Sequence, residues 1–314
     1  MNWNQLKCIW CSLFLIWGSY TWGQQDAQLS MYLRNPVQFN SAHAGTNGSM
    51  RTMLINRAQW VGWDGAPRTQ FISSHAPVLR NRMGVGITAL RDRSGARGHN
   101  EFMVHGAYHF PKKIQSFNIS TGLSLGVQSN RFDFSDLQVN DINDPLQAMA
   151  YKESAFNAGF GCAAHNDVWY FGLAIPHLIE QPMGFQGSGP VQRRHYYLTT
   201  AYVKQMNSVL DVRGAALLKK VSGAPMTADF GVEAWVLDKY SLGAMVRWRE
   251  GIGFQASYAL DDHGSIPYND QLRVYYAVDF PLNGLANRNF GSHELGISWD
   301  FGYRRNAYQS PRYF

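Results

Sequence analysis

Along most of this chain, apolar and polar positions alternate with a period of two. In "SFNISTGLSLGVQ", Phe117, Ile119, Thr121, Leu123, Leu125 and Val127 fall on one side. Asn118, Ser120, Gly122, Ser124, Gly126 and Gln128 fall on the other. The stretches "GIGFQASYAL" (251–260), "LRVYYAVDF" (272–280) and "ELGISWDF" (294–301) repeat the pattern. Successive residues of a strand point to opposite faces, so each segment predicts a strand with one apolar and one polar or tiny face. About fourteen such segments follow one another, beginning near Ser49, Thr69, Met83, Asn100, Ser116, Phe156, Val168, Tyr196, Val209, Thr227, Tyr240, Ile252, Leu272 and His293.

Most segments are about 8–12 residues long, close to the roughly 9–11 that a tilted strand needs to cross a bilayer. Their polar faces carry Gly, Ser, Asn, Thr and Gln with scattered Arg. A soluble sandwich would place Lys and Glu on a water-facing side. Only 16% of the residues are charged, below the roughly 25% usual in soluble domains. Tight turns such as "HND", "QMNS" and "DKY" alternate imperfectly with long connections at 129–155 and 176–194, as short periplasmic turns alternate with external loops in outer-membrane barrels. The expected fold is all-β: a transmembrane antiparallel β-barrel of about fourteen strands, with an N-terminal arm that is not strand-like. Trp60, Trp169, Trp248 and Trp299 sit where interfacial aromatic girdles are expected.

The N-terminus predicts a signal peptide over residues 1–23, with Lys7 ahead of an apolar run too short to span a membrane as a helix. Its removal leaves Cys162 as the sole cysteine, so no intrachain disulfide can form. The mature chain then has 27 basic residues (28 less Lys7) against 22 acidic, a net charge of +5. These charges are dispersed, which argues against nucleic acid. Beyond the signal, the expected organisation is an arm at 24–48 in the periplasm or the lumen, the barrel at 49–303, and a periplasmic tail at 304–314.

Candidate chemistry is sparse. His105 and His109 share a strand face but stand about 13 Å apart, too far for one metal. Asp141, Asn143 and Asp144 lie in a long loop, favouring Asx turns over a calcium site because the Gly and distal Glu of a calcium loop are missing. Arg51, Arg57, Arg213, Arg247, Arg249 and Arg273 are expected to line the lumen. Their expected inward partners come from Asp211, Asp229, Glu233, Asp279, Glu294 and Asp300. No phosphate loop, nucleophile elbow or metalloprotease helix is present, so the expected function is not enzymatic, with no catalytic residues, cofactor or metal.

Three stretches carry a resemblance to a known family. The first, before the strands, contains Asn35, Pro36, Phe39, Asn40, Ala42, Ala44 and Gly45. The second, "QWVGWDGAP", contains Gln59, Trp60, Gly62, Gly65, Ala66 and Pro67. The third is Gly291, Ser292, His293 and Glu294. Together they resemble the PorP/SprF family, outer-membrane proteins of the type IX secretion and gliding-motility machinery of Bacteroidota. His43 departs from the Tyr common at its position, and the 261–270 loop is longer than its side of the barrel predicts.

The resemblance implies a barrel that docks or anchors secreted cargo, through the cargo's C-terminal sorting domain, or periplasmic ring components of the machinery. It implies outer-membrane lipid around the wall and no small-molecule substrate. The alternative is a solute channel. Partner contacts are expected on the loops, at Trp63, Arg131, Phe132, Phe134, Phe185, Arg193, Arg194, Arg288 and Phe290.

Overall fold

A computed structural model describes residues 27–133, 150–182, 191–260, 270–282 and 289–301. Among the described residues, sixteen strands run in chain order: β1 (Met50–Ala58), β2 (Arg68–Val78), β3 (Met83–Ser94), β4 (Arg97–His109), β5 (Asn118–Asp133), β6 (Ala150–His165), β7 (Trp169–Ile175), β8 (Gln181–Pro182), β9 (Val191–Gln192), β10 (His195–Gln205), β11 (Leu210–Val221), β12 (Thr227–Val236), β13 (Tyr240–Arg247), β14 (Gly251–Leu260), β15 (Gln271–Pro281) and β16 (Ser292–Phe301). Fourteen form a closed antiparallel barrel, sealed where β1 pairs with β16 from Met50 opposite Phe301 to Ala58 opposite His293. The pair β8–β9 forms a separate short ribbon. Closure leaves no unpaired edge, the requirement for β-structure in hydrocarbon.

The alternation sorts the side chains as expected. On β16, Leu295, Ile297, Trp299 and Phe301 are exposed on the outer wall, while Glu294, Gly296, Ser298 and Asp300 are buried inside. Leu123, Leu125, Val127, Val232 and Leu242 are likewise turned out, Leu242 to 68%. Apolar side chains this exposed around a whole wall need lipid against them. The interior instead buries Ser, Thr, Asn, Gln, His, Arg and carboxylates. No helix among the described residues is long and apolar enough to cross a membrane.

All fourteen expected segments are strands, and most boundaries agree within three residues. The largest difference is β6, which begins at Ala150 rather than near Phe156. The β5–β6 ladder continues outward through Asn130 opposite Glu153 and Arg131 opposite Lys152. Polar residues on both faces leave no alternation to read. Trp60 is not on a strand end. It sits in the β1–β2 loop with φ 44°, its backbone N–H on Ser292 Oγ. Asp141, Asn143, Asp144, the loop 261–269 and the tail after Phe301 lie outside the described residues.

Candidate functional site

The end of the barrel where β1 begins and β16 finishes is the terminal end; the opposite end, carrying the longer connections, is the loop end. Residues 27–49 cross the interior between them in three short 3-10 turns, Tyr32–Arg34, Pro36–Gln38 and Ser41–His43. Asn and Ser suit this course, because their side chains satisfy backbone groups that no helix or sheet pairs. Asn40 does so directly: Oδ1 accepts the Ala42 N–H at 3.1 Å, and Nδ2 donates to the Cys162 carbonyl of β6 at 3.1 Å. Asn35 Nδ2 donates to Ser73 Oγ of β2 at 2.5 Å. Phe39 meets Tyr197 of β10 edge to face at 5.5 Å between ring centres. Val37 and Ala42 are fully buried.

The wall is built to admit this arm. A Cβ added at Gly84 on β3 would overlap the Ala44 carbonyl, and one at Gly122 on β5 would overlap the Ser41–Ala42 peptide. Glycine at these inward positions lets the arm's backbone lie directly on the sheet.

Ion pairs fix the arm's other end. Glu294, with no exposed surface, accepts the Ser30 N–H on Oε2 at 2.8 Å and the Met31 N–H on Oε1 at 2.9 Å. Arg57 Nη1 reaches Glu294 Oε2 at 3.0 Å, Asp279 Oδ2 at 2.7 Å and Ser30 Oγ at 2.6 Å. Arg247 Nη2 donates to the same hydroxyl at 2.9 Å. Halfway along, Arg34 pairs with Glu233, donates to Ser241 Oγ at 2.9 Å, and lies over the Trp235 ring at 4.2 Å. Buried charges are tolerated because each meets a partner.

The arginines expected in the lumen are accounted for as follows. Arg51 binds Asp300 through Nε at 2.6 Å and Nη2 at 2.8 Å, and Arg213 reaches Glu233 at 2.5 Å. Arg273 lies over Trp235 and donates to Ser257 Oγ. Arg249 is the exception: it sits exposed in the β13–β14 turn with φ 66°, because the strand ends at Arg247. Lys219, with Asp229 at 2.9 Å, is a lumen pair whose cation the alternation had not singled out. His105 contacts Thr88 Oγ1 at 2.9 Å and His109 contacts the Ala44 carbonyl at 3.1 Å.

The second and third sequence stretches meet at the loop end. Val61 N–H donates to the Gly291 carbonyl and Phe290 N–H to the Val61 carbonyl, both at 2.9 Å. Gly62, at φ 94°, lies against the Phe290 ring, where a Cβ would come within 2.9 Å. Gly291 and the first residue of β16, Ser292, therefore hold the rim loop, and two residues further along the strand Glu294 holds the arm.

A family model for the type IX secretion system membrane protein PorP/SprF matches residues 21–299. The chain belongs to that family. No curated protein matches it in sequence. Among solved structures, the CymD monoaromatic hydrocarbon channel is similar at 10% identity, covering 91% of this chain and 96% of that one with a TM-score of 0.51. Omp33 from Acinetobacter baumannii matches at 9% identity, covering 80% and 97% with a TM-score of 0.45. A FadL homologue from Pseudomonas aeruginosa matches at 13%, covering 80% and 88% with a TM-score of 0.43. At these identities the likeness is one of fold. Family and barrel together place this PorP/SprF protein in the outer membrane, as a component of type IX secretion.

Six of the residues singled out for partner contact spread around the loop end of the PorP/SprF barrel. Trp63 is 42% exposed and Phe290 76%. Arg131 pairs with Asp133 at 2.7 Å. Phe132 is half-buried on β5. Arg193 faces Glu180 at 3.8 Å, and Arg194 Nη2 donates to the Leu178 carbonyl at 3.0 Å. Phe134, Phe185 and Arg288 lie outside the described residues. Trp63 and Phe290 lie on two loops that Val61 joins through its backbone; the three arginines are engaged locally. The sequence had not indicated how the β7–β10 connection turns inward. Its Leu178 N–H donates to the Ala158 carbonyl at 2.8 Å, His177 Nδ1 meets Asn157 Nδ2 at 2.8 Å, and Gln192 contacts Gln128 inside the wall. Between this segment and the arm lies a chamber lined by Leu29, Tyr32, Phe71, Glu101 and Lys219.

Proposed function

We propose that this barrel acts by protein binding, docking or anchoring type IX cargo or machinery at the outer membrane rather than conducting a solute. The observation that supports this most is the arm in the lumen, fixed to the wall by Glu294, Arg57, Asp279 and Arg34. A conduit would have to displace it against buried ion pairs, whose disruption costs about 3–5 kcal/mol each. The loop end faces outward and offers the exposed aromatics Trp63 and Phe290, a residue class enriched at binding hot spots. Its partner is the C-terminal domain of a secreted surface protein; the terminal end and the tail at 304–314 face periplasmic ring components. Residues 1–23 are removed as a signal peptide, the arm follows, and the barrel does no catalysis.

Two measurements separate this from the solute-channel reading. In planar bilayers the purified barrel shows no steady large conductance, and a strain lacking it loses at least one protein from its surface. An open pore in the first, with an unchanged surface proteome in the second, refutes docking.

A further inference from the structure

Charge is not spread evenly around the terminal end of the barrel. The β2–β3 turn, 79–82, carries Arg80 and Arg82, and the β4–β5 turn, 110–117, carries Lys112 and Lys113. Neither turn holds a carboxylate. The other described turns at this end bring at most one charge of each sign: Asp167 between β6 and β7, none between β10 and β11, and Asp238 with Lys239 between β12 and β13. The two basic turns are neighbours, because the His109 N–H of β4 donates to the Arg82 carbonyl at 2.9 Å. Strands lie about 4.8 Å apart, so the turn centres are about 10 Å from one another, within the joint reach of long Arg and Lys side chains. All four cations are exposed. Among the described residues, no carboxylate is in ion-pair contact with any of them.

Two aliphatic side chains stand among these charges: Leu79 is 68% exposed and Ile114 63%. Leu79 and Arg80 have φ of 50° and 55°, a region where a tight turn favours Asn or Gly. Folding of the hairpin gives no reason for Leu and Arg at these positions, so what their side chains serve lies outside the chain. On the wall beside them, exposed Tyr108 and Phe110 meet edge to face at 5.1 Å. Outward aromatics near a strand end mark the depth at which acyl chains give way to headgroups. The two turns continue from the strands at that boundary.

We infer that these turns form a binding site for an anionic phospholipid of the terminal-end leaflet. Arg80, Arg82, Lys112 and Lys113 hold its phosphates, and Leu79 and Ile114 lie against the first carbons of its acyl chains. Guanidinium forks match phosphate oxygens in pairs, and Lys adds compact charge beside them. The aliphatic pair at headgroup depth favours an amphiphile over a free anion or a soluble acidic protein.

The test uses the full barrel reconstituted into phosphatidylcholine vesicles containing a minority of cardiolipin, a phospholipid with two phosphates. The barrel is extracted in mild detergent and the retained lipids are counted by mass spectrometry. The wild type retains cardiolipin over phosphatidylcholine. Each substitution among Arg80→Gln, Arg82→Gln, Lys112→Gln and Lys113→Gln lowers retention by about fivefold, the worth of one cation near a charged surface. Leu79→Asn places a favoured residue in the turn, so the hairpin is not weakened, yet retention falls about twofold with the loss of one apolar contact. Lys204→Gln, an exposed cation at the terminal end of β10, leaves retention unchanged. The folded, heat-modifiable band confirms that each variant forms the barrel. Retention insensitive to the four cations, equal retention of phosphatidylcholine, or displacement of the lipid by an equal concentration of inorganic phosphate each overturns the inference. So does capture of an acidic protein that needs the four cations while cardiolipin retention does not.

Discussion

Glu294 holds Ser30 by its backbone N–H at 2.8 Å across 264 positions of sequence. The arm begins at the loop end, where Glu294 and Arg57 sit, and finishes at the terminal end, where the Gly45 N–H meets His75. It then turns back into β1. The lumen is thus threaded, from the loop end to the terminal end, by residues 27–49.

Glu294→Gln keeps the shape but removes the charge between Arg57 and two backbone donors. Arg57 retains Asp279, so the loss is partial, about 2–4 kcal/mol from the range for broken buried pairs. The measurement is the unfolding temperature of the heat-modifiable band, which falls. Glu294→Ala falls further, and Asp300→Asn loosens only Arg51 at the terminal end.

Gly122→Leu places a side chain where the Ser41–Ala42 peptide lies. The closed ladder does not need this glycine, so the barrel still folds and the arm is expelled. Limited proteolysis reports the difference: the variant is cut within 27–49 while the barrel remains intact. The conservative Gly106→Ala on β4, where an added Cβ meets nothing, changes neither.

Removing residues 27–45 takes the arm out of the lumen. Single-channel recording should then show steady conductance that the full-length barrel lacks. Equal conductance in both would mean that the arm is no barrier.

Strand number, facing and closure were legible because lipid outside and small polar groups inside write the same period-two code into every segment. The code fails where both faces are wet, which is why the outer part of the β5–β6 ladder and the two-residue strands β8 and β9 left no trace. The arm's Asn-rich composition excluded lipid, but its path could not be read. Asn35 and Asn40 find partners on β2 and β6, and no periodicity encodes contacts made once each between an irregular segment and a wall. The three sequence stretches are far apart in the chain, and only the fold brings Ser292 and Glu294 between rim and arm. Trp63 and Phe290 were named as loop aromatics without any sign that Val61 and Gly291 pair their two loops.

Trp63→Ala and Phe290→Ala remove the exposed aromatics at that junction. Each lowers partner capture from solubilised outer membrane by about tenfold, while heat-modifiability stays at the wild-type value.

The most direct test of docking is photo-crosslinking in living cells, with a photoreactive amino acid placed at Trp63 and, as a control, at lipid-facing Leu123. A discrete crosslinked band at position 63, identified as a type IX secreted protein or a component of its machinery and missing at position 123, is the predicted result. No protein crosslink at position 63 in cells that secrete normally would contradict the account.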